Sequence, residues 1–231
     1  MITLVIPAYN EQDVIEKLID GLEKEISLDQ PWEILAVDDG SDDDTGRILD
    51  ALARQFQNLR VIHHKVNQNL GGALRSGIRD ARGDIVITSD ADMTHPPELM
   101  AEMVQALRYS DVCVASRFVR GGGMLNVPLY RAFISRLANI LYQILFLSPV
   151  KDNTSGYKAY RAPLIKSIEI EETGFAVQLE IMTKLLRKRA KFKEIPFVLA
   201  NRELGRSKLR YLRAIPHYVS RVTRLLFVRW T

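Results

Sequence analysis

Asp90-Ala91-Asp92 follows directly on the apolar run Ile85-Val86-Ile87-Thr88-Ser89, so two carboxylates stand one residue apart at the end of a predicted strand. Residues i and i+2 of an extended chain point to the same side. Hard cations such as Mg²⁺ or Mn²⁺ take one or two carboxylates and complete their shell with substrate phosphates. Asp90 and Asp92 are therefore candidate metal ligands in a clamp for a diphosphate. Acidic pairs also occur in solvated turns, and the spacing alone leaves that alternative open.

Two further strand exits carry polar groups. Glu33-Ile34-Leu35-Ala36-Val37 runs into Asp38-Asp39-Gly40-Ser41, and Ile2-Thr3-Leu4-Val5-Ile6 runs into Pro7-Ala8-Tyr9-Asn10-Glu11. Open α/β sheets bind ligands at the carboxyl ends of their strands, which favours a functional reading of Asp38 and Asp39. Asp42, Asp43, Asp44 and Thr45 offer caps for a helix. A fourth unit runs from Val61-Ile62-His63-His64 to Asn67-Gln68-Asn69-Leu70-Gly71-Gly72-Ala73. Its glycine pair suits close helix packing better than approach to a phosphate. His63 and His64 have no metal-ligand spacing and read as ordinary core or surface histidines.

These units predict an α/β protein: alternating strand and helix to about residue 116 around a mostly parallel central sheet flanked by helices. Beyond it the pattern predicts a helix over 129–147, a strand over 156–161, a helix over 176–188 and a strand over 192–199. Gly121-Gly122-Gly123 reads as a loop that either closes over a donor or is a plain surface connection. Glu180, inside the third of these segments, could orient a cation as readily as act in chemistry, and is left out of the catalytic set.

The motifs together have a precedent. Pro7-Ala8-Tyr9-Asn10-Glu11, Val37-Asp38-Asp39-Gly40-Ser41, the glycine spacing from Asn67 to Gly77, Asp90 to Glu98, Ser116-Arg117 and Asp152 to Arg161 resemble the family 2 inverting glycosyltransferases. Within that family Asp90-Ala91-Asp92 with His95-Pro96-Pro97-Glu98, Asp152-x-x-Ser155-Gly156 and the late Arg202-x-x-Gly205-x-Ser207-Lys208 together make the chain resemble the polyprenyl (dolichol) phosphate mannosyltransferases. The resemblance implies a GT-A type nucleotide-sugar-binding fold over 1–209 with a basic amphipathic segment over 210–231. It also implies transfer of a hexose, mannose first, from a nucleotide-sugar donor such as GDP-mannose to a polyprenyl phosphate acceptor.

Roles follow from the resemblance. Pro7, Tyr9, Glu11, Val37 and Asp39 would line the nucleobase and ribose pocket, and Asp90, Ala91 and Asp92 would hold Mg²⁺ or Mn²⁺ with the diphosphate. Arg131, Arg202 and Lys208 would meet the donor and acceptor phosphates. Thr94 stands where the family usually has Gln, and its hydroxyl is a shorter and poorer metal ligand. A relative acting on a sugar hydroxyl would need a carboxylate base and leave the Arg-x-x-Gly-x-Ser-Lys segment without a task. A non-catalytic nucleotide-sugar-binding membrane subunit is the reading from another class.

Length and charge bound the partners. A chain of 231 residues with 47% hydrophobic residues can bury one substantial core. The lone Cys113 supports no disulfide framework, which suits a reducing cytoplasm. From Lys184 onward 14 Lys+Arg face 2 acidic residues, a net of +12, whereas residues 1–183 carry 18 against 26, a net of −8. No nucleic-acid motif accompanies this charge, so anionic lipid or phosphate is the expected partner. The apolar segment 133–147 and the period Ile215, Tyr218, Val219, Val222, Leu225, Leu226 predict helices lying in a membrane interface, since both are interrupted by arginine. The alternatives are a core helix, a dimer face, or docking to a separate membrane subunit. The expected location is the cytoplasmic face of a membrane, with the chain held there peripherally.

Overall fold

In the computed structural model, residues 1–200 are described. Strands β1 (Ile2–Ala8), β2 (Trp32–Asp38), β3 (Leu59–His63) and β4 (Ile85–Thr88) alternate with helices α1 (Ile15–Glu25), α2 (Thr45–Gln55) and α3 (Asn69–Asp80). Helix α4 (Leu99–Ala106) leads to β5 (Val112–Ser116), and the short β6 (Gly123–Met124) precedes α5 (Leu129–Phe146). Strand β7 (Lys158–Arg161), helices α6 (Ala162–Lys166) and α7 (Val177–Arg187), and strands β8 (Phe192–Pro196) and β9 (Val198–Leu199) complete the described chain. The strand predicted over 192–199 is thus two strands: Phe197 leaves the main sheet, and β9 pairs with β6 instead.

The main sheet has the order β3-β2-β1-β4-β7-β5-β8. All pairings are parallel except those of β7, which runs antiparallel to both β4 and β5. Central strands are apolar without alternation because both faces are covered. One face packs Leu4, Ile6, Ile34 and Ile87 on α1, α2 and α4, and the other packs Val5, Val86 and Val114 on α3, α5, α6 and α7. Helix α1 shows why the pattern works: Ile15, Leu18, Ile19 and Leu22 recur on one stripe and all are buried.

The inversion of β7 matters for function. A strand antiparallel to β4 starts where β4 ends, and Thr88 lies opposite Lys158. The segment 152–157 that leads into β7 is therefore delivered to the edge where Asp90 and Asp92 emerge.

Two ambiguous glycine segments are decided by their contacts. A Cβ on Gly71 would lie 1.9 Å from the Glu172 carbonyl oxygen, and the Gly71 amide donates to Thr173 O at 2.7 Å, so this glycine serves packing. The 121–123 segment is a tethered turn, with Gly122 N donating to Val119 O at 2.9 Å and Gly123 N to Phe197 O at 3.0 Å. It leads into the ladder with β9, in contrast to a loop free to close over a donor.

Helix α5 is neither a core helix nor a spanning one. Of its 18 residues only Asn139 and Tyr142 are buried. Leu129, Tyr130, Phe133, Leu137, Ile140, Leu141, Ile144 and Leu145 are exposed, which makes an apolar patch of the kind that marks an interaction surface. Among the described residues no helix is long and apolar enough to cross a membrane.

Candidate active site

Because β2, β1 and β4 are parallel neighbours, their exits lie side by side. Ala8 is level with Asp38, Asp39 N donates to Ala8 O at 2.8 Å, and Ser89 N donates to Val5 O at 3.1 Å. The three polar exits predicted separately therefore form one edge. The β1 and β2 exits are also tied through their loops: Asn10 N donates to Ser41 Oγ at 3.0 Å, Glu11 N to Thr45 Oγ1 at 2.8 Å, and Tyr9 Oη to Asp42 Oδ2 at 3.3 Å. Asp42 to Asp44 thus do more than start α2. Pro7 is half-buried in β1, level with Val37, whose fully buried side chain packs toward Gly77 of α3. Val37 can reach a pocket at this edge through its main chain only.

Asp39 is 3% exposed, and its Oδ1 accepts from Gln68 N at 2.9 Å and pairs with His64 Nδ1 at 2.6 Å. His64 Nε2 pairs in turn with Ser76 Oγ at 2.9 Å, so α3 buttresses the carboxylate through an imidazole. His63 spans Asp38 Oδ2 at 3.0 Å and Asp50 Oδ1 at 2.9 Å. Partial burial alone would lower the His63 pKa, but hydrogen bonds and charge from Asp38 and Asp50 outweigh it and raise the pKa above its ordinary value. These histidines are not ordinary core or surface residues; they position the acidic pair. What reveals them is the strand pairing: β3 runs parallel to β2, so His63 arrives opposite Asp38 and His64 follows, its amide donating to Asp38 O at 2.9 Å.

At the clamp, Thr94 donates to Asp92 Oδ1 from both N at 3.1 Å and Oγ1 at 2.6 Å. The residue expected to be a poor metal ligand instead fixes the second carboxylate. Met93 makes the turn with a φ of 60°. Asp90 N donates to His95 Nδ1 at 3.1 Å, which assigns the proton of the neutral ring to Nε2, 3.8 Å from Asp90 Oδ2. The His95 ring stacks on Tyr157, centroids 4.6 Å apart, and Tyr157 Oη donates to Pro96 O at 2.8 Å. Ala91 is buried between the two carboxylates.

The residues present fit a hard divalent cation. Asp90 and Asp92 offer carboxylate oxygens, the donor type such cations take together with phosphate oxygens, and among the described residues no group of three or more His, Cys, Asp or Glu makes a protein-only cage. A Cβ on Gly156 would sit 3.0 Å from Asp90 Oδ1, so glycine there keeps the wall beside that carboxylate open.

The far wall is built on a buried ion pair. Arg117 donates to Asp152 from Nε at 2.7 Å and Nη2 at 2.6 Å, and its main-chain N donates at 3.0 Å. Burial by itself would raise the Asp152 pKa, yet the Arg117 guanidinium holds it below the usual carboxylate range. Asn139 of α5 donates to Thr154 Oγ1 at 2.9 Å and accepts from Asn153 N at 2.7 Å, which ties the apolar helix to this wall. Arg131 lies in the first turn of α5, with its guanidinium over the Tyr130 ring and Nε donating to Tyr130 Oη at 3.1 Å. Glu180 accepts from the amides of Glu171 and Glu172 and pairs with Lys184 at 2.8 Å, an orienting role. Arg202, Lys208 and the 210–231 segment lie outside the described residues.

The description glycosyl transferase family 2 matches residues 3–169. The chain belongs to glycosyl transferase family 2. It is 32% identical over 228 residues to a dolichol-phosphate mannosyltransferase of Pyrococcus furiosus, covering 97% of this chain and 63% of that relative's length. It is 33% identical to an undecaprenyl-phosphate mannosyltransferase of Micrococcus luteus, over 89% of this chain and 86% of the relative. In structure it resembles a glucosyl-3-phosphoglycerate synthase of Mycobacterium tuberculosis solved with Mn²⁺ and UDP. The TM-score is 0.74 at 21% identity, over 100% of this chain and 81% of the other. That likeness shows the shared GT-A architecture. The family match ends inside the segment after α6, so α7, β8 and β9 lie beyond it, and of these β8 adds the edge strand of the main sheet.

Proposed function

We propose that this family 2 chain transfers mannose from a nucleotide-sugar, GDP-mannose, to a polyprenyl phosphate, with inversion and with Mg²⁺ or Mn²⁺. The observation that carries this reading is the meeting on one sheet edge of Asp39, Asp90, Asp92 and the 152–156 segment, which Asn139 ties to the exposed apolar helix α5. The named relatives from Pyrococcus and Micrococcus act on lipid phosphates, and the Mycobacterium neighbour holds Mn²⁺ with UDP; both support it.

A phosphomonoester has its second pKa at about 6, so the acceptor is already an anionic nucleophile at neutral pH. No carboxylate is needed as a general base, and the chain's tasks are positioning and charge control. Pro7, Tyr9, Glu11, Asp39 and the main chain at Val37 surround the base and ribose, with His64 holding Asp39. Asp90 and Asp92, spaced by Ala91, would hold the cation. When bound, it supplies Lewis-acid stabilisation to the departing diphosphate. Arg131, Arg202 and Lys208 offset the repulsion between two anionic substrates. Attack on the face opposite the leaving group inverts the anomeric centre.

The exposed face of α5 and the +12 balance after Lys184 favour a chain lying on an anionic membrane, at its cytoplasmic face. The decisive experiment is turnover of radiolabelled GDP-mannose with polyprenyl phosphate and Mg²⁺ or Mn²⁺. Label in the lipid phase supports the reading. Failure to label the lipid with GDP-mannose or any other nucleotide-sugar tried would defeat it.

A further inference from the structure

Lys158, in β7, has no exposed surface. Its ammonium donates to three oxygens: Gln178 Oε1 of α7 at 2.8 Å, the Asn153 carbonyl at 3.3 Å, and the Ser155 carbonyl. None of the three is charged. Buried ammonium groups normally meet a carboxylate, because an uncompensated charge in the interior is costly. Among the described residues no carboxylate lies within ion-pair distance of this one, and the nearby Asp152 is engaged by Arg117. The arrangement has a stoichiometry. Three acceptors need three N–H groups, which an ammonium has; a neutral amine offers two and turns its lone pair on the third oxygen.

Two of the acceptors are main-chain carbonyls of the turn that forms the wall beside Asp90. The same turn is fastened by Thr88 Oγ1 to Gly156 O at 2.8 Å, and Gly156 is the residue that abuts the Asp90 carboxylate. We propose that Lys158 is a positioning residue: as an ammonium it fastens the 153–156 turn against Asp90 and so sets the clamp, and on losing its proton it releases that turn. The inference rests on the reading of Asp90 and Asp92 as the clamp. Burial pushes the Lys158 pKa down to about 7; Asp152 from the turn and Asp90 from the β4 exit act upward, and Arg117 from the β5 exit acts downward. The facing groups of α7 and α5, Gln178 and Asn139, are neutral amides.

Amide hydrogen exchange on the full chain between pH 6 and 8.5, corrected for intrinsic rates, tests this without any ligand. Protection of the Asn153 and Tyr157 amides should fall about tenfold as pH rises through 7, while the α1 amides keep theirs. Gln178→Glu puts a carboxylate beside Nζ and should move that midpoint up by about a pH unit or more. Lys158→Met should show low protection at every pH; if it does not fold, Gln178→Glu alone decides. Calorimetry of Mn²⁺ with a nucleoside diphosphate should follow the same pH curve as the exchange. Protection that is flat with pH in the unmodified chain, or a midpoint that Gln178→Glu leaves in place, overturns the role of Lys158. If the exchange behaves as expected but no Mn²⁺-dependent nucleotide binding occurs at any pH, the clamp reading is what falls, and with it the part of the proposal that reaches Asp90.

Discussion

The two halves of the sheet solve different problems. From β3 to β4 the strands are parallel, and the polar groups that each exit presents are locked by neighbouring loops: Asp39 by His64 and Gln68, Asp92 by Thr94, the 9–12 segment by the 41–45 segment. From β7 to β8 one strand is inverted, and its wall is held by a buried Arg117–Asp152 pair, a buried lysine and an asparagine from a largely exposed helix. The first half suits a rigid donor seat, in which preorganised groups need no rearrangement at the moment of reaction. The second half ties that edge to the exposed apolar face of α5.

The comparison is broken most severely at the clamp. Asp92→Ala should reduce turnover by roughly a thousandfold or more, because several kcal/mol of leaving-group stabilisation go with the cation. It should also abolish Mn²⁺-dependent nucleoside diphosphate binding by calorimetry. The fold should survive, since Asp92 follows the strand exit and belongs to neither apolar cluster of the core. Near-normal turnover in that variant with metal present would remove the clamp from the mechanism.

Next come the cations proposed to meet the substrate phosphates. Arg202→Ala or Lys208→Ala should cost about 10- to 100-fold in kcat/KM at limiting acceptor, the scale of a lost charge-assisted hydrogen bond of roughly 1.5–3 kcal/mol. Donor affinity should change little. A loss confined to donor KM would move both residues to the other half of the site.

On the donor side, His64→Phe tests whether the imidazole acts through Asp39. Nucleoside diphosphate affinity should fall about tenfold, roughly the worth of one hydrogen bond to a charged group, with kcat at saturating donor nearly kept. Ser76→Ala should give a smaller change in the same direction, because it touches the ring and not the carboxylate. Equal losses in kcat and affinity would make His64 a general packing residue.

Membrane association separates the halves by location. Phe133→Ser together with Ile144→Ser, both on the exposed face of α5, should weaken co-sedimentation with anionic liposomes at high salt. Deletion of 212–231 should weaken it chiefly at low salt, at about 1 kcal/mol per basic residue near the surface. Recovery of all protein in the supernatant with anionic liposomes at low salt would point to a dimer face or a membrane subunit in place of lipid.

The donor half was legible because its rules are local. An apolar run ending in Asp-x-Asp or Asp-Asp-Gly places its carboxylates at a strand exit, and parallel βα order places the exits together. The partners of those carboxylates were missed where they depended on pairing: His63 and His64 gain meaning once β3 lies beside β2, and His95 once its ring meets Tyr157 across 62 positions of chain. The bond from Thr94 to Asp92 was also missed, because residue type shows what an atom can bind but not what it faces. The antiparallel β7 carries no sequence mark. Its inversion follows the return of the chain from α5, and Lys158, inside the strand predicted over 156–161, is a buried ammonium for that reason.

The smallest effect expected is a pH signature in the donor half. His63 is partly exposed, and its pKa is raised in the folded chain by Asp38 and Asp50 against the opposing effect of burial. A group with a raised folded pKa adds stability that is complete below its unfolded pKa, about 6.5 for histidine, and disappears as pH rises through the folded value. The carboxylates must also remain ionised, which sets the lower limit of the window. The difference in Tm between the unmodified chain and His63→Gln should therefore be largest near pH 5.5–6 and shrink toward pH 8. Salt should reduce it, since the side chains of His63 and Asp50 are both solvent-accessible and such pairs are screened. A Tm difference that grows as the pH is raised would show that His63 acts as a neutral hydrogen-bonding spacer between Asp38 and Asp50, and the charge argument for this corner of the donor seat would fail.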